Sequence, residues 1–472
     1  MQRTIFLTCI SLAVVASAQQ PVAPERRTEW ERLGVSCPGF SFAGIASCAD
    51  ALFTEHPLHI AIGSLAPQNG FGAGGAFVWH WTTSNWRNSL NTDAVATPNG
   101  SWRAGAYLNF LWIRRPTIEV GNAATGGRGV HVEEQPVFRL YSENISVNKL
   151  AYFGLGPNTA EAARTYFGQR EIITGGNVLW PVGTPLHLSL YGEANGRFVD
   201  IRPASGQGSP SIEQIYNPIT APGLLDQPPY AQFGQGIRIR PSLARGYVDL
   251  NYSAGLKEFV GSGGASPSFQ RLNLDFQHTF LMYRATRSFF ARDGNGPDDC
   301  SANPTDKNKS NRQCPPLMVA PPPGSTRALE GSVNLRLTIN ESFGATANQI
   351  PFYFQPTLGG GDINGDLSLS SFQDYRFRAP NTILFHAALE HSVYNRWPIG
   401  VTAMVDAGKV ALTRGDVDFS DLRHSYSAGL TLRAGGFPMV YLLFSWGGGE
   451  GMHTNGRADT SLLGGAARPS YY

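Results

Sequence analysis

Residues 271–283 read RLNLDFQHTFLMY. In an extended strand successive side chains point to opposite faces. Leu272, Leu274, Phe276, Phe280 and Met282 then share one face, and Asn273, Asp275, Gln277 and Thr279 share the other. The fold turns on which of these faces is wet and what lies against the apolar one.

The same alternation recurs along the chain. Val333, Leu335, Leu337 and Ile339 alternate with Asn334, Arg336 and Thr338, and Tyr426, Ala428, Leu430 and Leu432 with Ser427, Gly429, Thr431 and Arg433. Leu186, Leu188 and Leu190 flank His187 and Ser189, and Ile383, Phe385, Ala387 and Leu389 oppose Leu384, His386, Ala388 and Glu390. Trp102, Ala104, Ala106, Leu108, Phe110 and Trp112 form one more such face. Period two is the strand signature, and several of these runs exceed the usual five or six residues of soluble strands. A strand crossing a bilayer needs about 9–11. The only helix candidate, residues 159–165, is short.

Turn clusters at residues 182–185, 394–398 and 434–438 alternate with long connections at 203–229, 293–326 and 359–374, rich in Gly, Ser, Pro and Asn. Short turns mixed with long loops fit an outer-membrane barrel. Composition agrees. Charged residues are 15% of the 472, against about 25% in ordinary globular chains, while aromatics reach 11% and glycines number 54. A soluble sandwich or propeller is the competing architecture. A propeller predicts a repeat near 40–50 residues, and none is present. The expectation is all-β: a transmembrane antiparallel β-barrel of 16 strands, with the Leu272 face on lipid and the Asn273 face lining the lumen. Closure satisfies every strand's N–H and C=O where no water can. The last strand is expected over residues 458–464, followed by a tail ending Tyr471-Tyr472. The net charge of +2 implies no nucleic-acid partner.

Arg3, the apolar run Ile5 to Val15 and Ala16-Ser17-Ala18 read as an export leader over residues 1–18. Residues 19–57 form a short periplasmic segment and 58–472 the barrel. Cys9 lies inside the apolar run, so a lipoprotein is the weaker alternative. Cys37 with Cys48 and Cys300 with Cys314 are local pairs suited to disulfides in an exported chain. Neither pair has the C-x-x-C spacing of zinc or redox sites.

PTLGGGD (356–362), LSLSSFQDYRFRAPN (367–381), ALE (388–390), VDAG (405–408) and YSAGLTLR (426–433) occur in order, with YFGLGPNT (152–159) upstream. This series resembles the bacterial surface-antigen barrels, the BamA/TamA-type outer-membrane assembly factors and related two-partner-secretion translocators. The resemblance implies a long loop folded back into the lumen, a bacterial outer-membrane location, and a periplasmic accessory protein or client polypeptides as partners. The loop tip normally carries [VL]-R-G-[FY], whose Arg pairs with an acid on the D-x-G strand. Here the matching positions are Leu369-Ser370-Ser371-Phe372, while Asp406 and Gly408 remain. Arg376 or Arg378 is the expected substitute cation for Asp406, and Glu390 matches a further family position. The family's polypeptide-binding domains have no counterpart in the few residues before the barrel.

No enzyme motif stands out, and neither cofactor nor metal site is expected. FHAALEHS (385–392) is one residue off an inverted zincin motif. On a strand, though, His386 and Glu390 sit about 13 Å apart and cannot share a metal. A hydrolytic set assembled in space at a rim is the remaining enzymatic possibility, and no stretch favours it.

Overall fold

The structure, a computed structural model, describes residues 58–471 apart from 84, 114–117, 121–129, 133, 183–185, 205–209, 264–266, 289–325, 394–398, 435–436 and 459–467. The expected leader, the segment to residue 57 and the four cysteines expected to pair lie outside the described residues. The chain divides at residue 59, and the unit described here is Ile60–Tyr472 together with the strand that leads into it.

Sixteen principal strands follow one another among the described residues: β1 (Leu58–Ser64), β2 (Phe71–Thr82), β3 (Trp86–Ala96), β4 (Trp102–Trp112), β5 (Val137–Tyr152), β6 (Thr165–Pro181), β7 (Leu188–Pro203), β8 (Tyr230–Ile239), β9 (Val248–Gly261), β10 (Phe269–Ser288), β11 (Thr326–Phe343), β12 (Asn381–Ser392), β13 (Ile399–Ala411), β14 (Arg423–Ala434), β15 (Phe437–Trp446) and β16 (His453–Ala458). A two-residue piece, Ser242–Leu243, makes the sheet seventeen-stranded. Each principal strand pairs with its neighbour in chain order. Every register described is antiparallel, for example β9 on β10, β10 on β11 and β11 on β12. The helix candidate at 159–165 is a single 3-10 turn, Glu161–Ala163.

Register explains why the alternation in residues 271–283 decides the fold. Val248, Phe280, Val333, Leu389, Ala403, Ala428 and Phe444 are successive cross-strand partners from β9 to β15. One position along, Asp249, Thr279, Asn334, Ala388, Met404, Ser427 and Ser445 form the companion row. A slip of one residue would exchange the rows, so burial of one face fixes the pairing. The first row is outward: Phe280, Leu389 and Phe444 are exposed, as are Leu430, Leu432 and Leu442 beside them. The second row is inward and polar. Thr279 donates to Asn334 Oδ1 at 2.7 Å, the Ser427 and Ser445 hydroxyls lie 2.8 Å apart, and Arg336 forks onto Asp275 at 2.9 and 2.8 Å.

The sheet wraps round its own polar face. Residues 344–380, between β11 and β12, lie on that face. They reach the β1–β2 turn, where the Gln68 amide lies 3.5 Å from Asp374 Oδ2, and also β16, where Asn455 donates to the Ser370 carbonyl at 2.9 Å. One segment therefore meets both ends of the strand series, which gives the Ile60–Tyr472 unit the form of a barrel with a filled lumen. Outside, at the barrel end away from that segment, Trp86 stacks on Trp112 at 5.6 Å, Trp112 meets Trp180 at 5.5 Å, and Phe138 meets Trp180 at 6.2 Å. Such aromatic clusters mark the water–hydrocarbon boundary of membrane proteins. No helix among the described residues is long and apolar enough to cross a membrane.

The last described strand is His453–Ala458, which ends at the residue where the sequence pattern places its start. Its outward positions Thr454 and Gly456 face Phe444 and Leu442. They are small or polar, so the strand carries no apolar alternation to announce itself.

Candidate functional site

The inserted segment opens with a 3-10 turn, Phe352–Phe354, all three rings buried. They sit in an aromatic cluster with Tyr152, Phe167, Tyr230, Phe259 and Phe269, and the Phe352 N–H donates to the Pro222 carbonyl of the β7–β8 connection at 2.8 Å. Two short ladders fold the segment on itself: Thr357 and Leu358 opposite Arg378 and Phe377, then Gly360 and Gly361 opposite Ser368 and Leu367. Asp362 closes the turn between them by accepting the Asp366 N–H at 2.7 Å.

The LGG motif is steric. Gly359 has φ +104°, and a Cβ there would stand 2.5 Å from the Arg376 Cβ and 3.0 Å from the Gln373 carbonyl oxygen. Gly359→Ala is therefore expected to cost at least about 2 kcal/mol, from strain plus displaced backbone. The measurement is the denaturant midpoint of the folded barrel in micelles, and an unchanged midpoint contradicts the packing described. Behind the motif, burial pushes the Asp374 carboxyl upward in pKa, while the Gly361 N–H at 2.9 Å and Gln68 oppose that shift.

Arg376 and Arg378 carry the docking. Arg376 is 5% exposed. Its Nε donates to Glu450 Oε1 at 2.5 Å, Nη1 to the Thr159 hydroxyl and Nη2 to the Thr159 carbonyl, both at 2.7 Å. Its guanidinium lies over Phe153 and Phe377, 4.9 and 4.7 Å from the ring centres. Arg378 donates to the Phe352 and Gln355 carbonyls at 2.7 and 3.2 Å, and its own carbonyl accepts the Gly156 N–H at 2.8 Å. The RFR run thus docks on the YFGLGPNT stretch and on the β15–β16 connection. Phe372 packs against Phe377 at 5.1 Å under Arg423. At the serine tip, the Ser371 N–H donates to Ser425 Oγ of β14 at 2.8 Å.

Of the two cations expected for Asp406, Arg378 is held by the Phe352 and Gln355 carbonyls and Arg376 by Glu450 at the rim. Asp406 lies with its Oδ1 2.5 Å from His386 Nδ1, its direct cross-strand partner on β12. A partner one strand away needs no loop movement, which is the geometric reason it wins. Gly408 lies on the same strand, where a Cβ would meet the Ile383 carbonyl at 2.8 Å. Glu390 accepts from the Tyr441 hydroxyl at 3.3 Å.

Between the inserted segment and the wall remains a cavity of 1270 Å³, lined among others by Lys257, Asn273, Gln277, Arg336, His386 and Glu390. The wall from β3 to β8 carries buried pairs. Glu171 and Arg197 pair at 3.0 Å with both side chains fully buried, and Arg197 also donates to Gln232 at 2.6 Å and Asn195 at 3.2 Å. Asp93 pairs with Arg103 at 3.3 Å, and Tyr107 donates to Glu143. Among the described residues no three His, Cys, Asp or Glu are placed to hold a metal ion. Sequence patterns point to Phe372, Arg376 and Arg378, but not to their partners Thr159 and Glu450, nor to the Glu171–Arg197 pair. The signal for Thr159 is its place at the end of the YFGLGPNT landmark.

In fold the chain is similar to two solved structures. CdiB from Acinetobacter baumannii matches with a TM-score of 0.43 and 10% identity, over 85% of this chain and 56% of that one. BamA from Haemophilus ducreyi, solved without POTRA domains 1–3, matches with a TM-score of 0.44 and 12% identity, over 86% of this chain and 68% of that one. The chain thus spans little more than half the length of CdiB. No family model and no curated protein matches the sequence.

Proposed function

We propose that this protein is a bacterial outer-membrane β-barrel that works as a plugged assembly or translocation device with a separate periplasmic partner. The observation that supports this most is the inserted segment, which Arg376 fastens across the mouth to the β5–β6 and β15–β16 connections. A free pore has no use for such a bolt. In this reading the first and last strands form the seam at which the wall opens laterally.

In this reading residues 1–18 direct export. Cys37 with Cys48 and Cys300 with Cys314 form disulfides, which persist in an exported chain. Peptide mapping with and without reductant tests both bridges.

The 1270 Å³ cavity favours a second reading, a passive pore. Purified protein in planar bilayers separates the two. Silence or brief flicker is expected for the plugged device, and steady large openings would establish the pore. Depletion of the protein in cells is expected to lower the levels of other outer-membrane proteins, and unchanged levels contradict an assembly role.

A further inference from the structure

The segment Arg468, Pro469, Ser470, Tyr471 lies inside the barrel, with Tyr471 5% exposed. It runs along the inner wall of β3, β4, β5 and β7. Arg468 Nη2 donates to Asp93 Oδ2 at 2.9 Å, and its Nε stands 3.9 Å from Glu143 Oε2. The Tyr471 hydroxyl donates to Glu143 Oε1. The Tyr471 N–H donates to Asn364 Oδ1 at 2.7 Å, and Arg197 Nη2 donates to the Ser470 carbonyl at 2.5 Å. The segment is thus held at both ends by side chains and in the middle by its main chain.

The receiving wall is built rather than incidental. Asp93, Glu143 and Arg197 are themselves 5%, 1% and 1% exposed. Two buried carboxylates in a low-dielectric interior require cationic and hydroxyl donors. Arg103 and Tyr107 supply one each from the wall, and the segment supplies the other two. Pro469 suits this buried path, since its ring fixes φ and it offers no N–H to satisfy.

We propose that this inner wall is a binding site for an Arg-x-x-Tyr peptide, and that residues 468–471 are its occupant in cis. The site recognises a guanidinium at one end and a phenol at the other, on the Asp93 and Glu143 carboxylates, with Arg197 and Asn364 reading the main chain between. This holds whether the barrel assembles, translocates or conducts.

The test uses the full chain in micelles and a fluorescently labelled, acetylated peptide of residues 467–472 (ARPSYY). Carrying Arg468→Glu with Tyr471→Ala empties the site while leaving the wall intact. The emptied protein is expected to bind the peptide saturably, at least about tenfold tighter than the intact protein does. Adding Glu143→Gln should weaken that binding about tenfold or more, the loss expected when a charge-assisted hydrogen bond is removed. A peptide with its Arg replaced by Glu should not compete. Equal binding to both proteins, or none to a folded emptied protein, overturns the proposal. If the emptied protein does not fold, Ser470→Cys in the otherwise intact chain decides the same question, with maleimide labelling read at that residue by mass spectrometry. Slow labelling that accelerates with excess peptide supports the site, and labelling at the rate of a free thiol, or indifference to peptide, overturns it.

Discussion

Arg197→Met is expected to destabilise the barrel by about 3–5 kcal/mol, the range found when one partner of a buried ion pair is removed. The side chains of Arg197 and Glu171 are both fully buried. Without the guanidinium, Glu171 keeps only the Gln169 amide at 3.0 Å, while Gln232 and Asn195 lose a donor. The guanidinium also lies 5.9 and 6.0 Å from the ring centres of Phe259 and Phe354, so it ties the wall to the inserted segment's aromatic turn. The double variant Arg197→Met with Glu171→Gln should recover much of the loss, because it removes the stranded charge rather than creating one. Denaturant midpoints of the two single variants and the double variant, refolded into the same lipid, measure this. A single-variant loss below about 1 kcal/mol, or a double variant no better than the singles, contradicts the account.

Arg376→Met is expected to cost about 3 kcal/mol, the lower end of the same range, since its partner Glu450 sits nearer the mouth and keeps 10% of its side chain in solvent. The larger effect is local. The guanidinium is what joins the segment to Thr159 and Glu450 at once. Limited proteolysis should therefore cut within residues 344–380 of the variant while the wild type is protected. Arg376→Lys retains the charge for Glu450 but lacks the planar fork that also serves the Thr159 hydroxyl and carbonyl, so protection should be only partly restored. A wild-type cleavage pattern in Arg376→Met means that the segment is held by other contacts.

The strand pattern was legible because a barrel wall in lipid demands a sharp contrast between its faces, and residues 271–283 display it over thirteen positions. That contrast faded at the end of the chain, where Thr454 and Gly456 stand outward on β16. The inserted segment was legible through PTLGGGD, in which close backbone approach enforces Gly359 and Gly360. Its partners were not. Arg376 meets Glu450 and Thr159 across 74 and 217 residues, and Arg197 meets Ser470 across 273. No local pattern encodes contacts made across a lumen. The His386–Asp406 pair was within reach, because aligning FHAALEHS against the VDAG strand in antiparallel register places the two residues opposite each other.

The central claim is that the Leu272 face of the wall meets hydrocarbon and the Asn273 face meets a polar interior. Spin labels placed one at a time at residues 271–282 of the protein in lipid vesicles test it directly, by comparing accessibility to oxygen with accessibility to a water-soluble nickel chelate. The account predicts that oxygen contact peaks at 272, 274, 276 and 280 and falls at 273, 275, 277 and 279, with period two. No alternation, or the opposite phase, would contradict it.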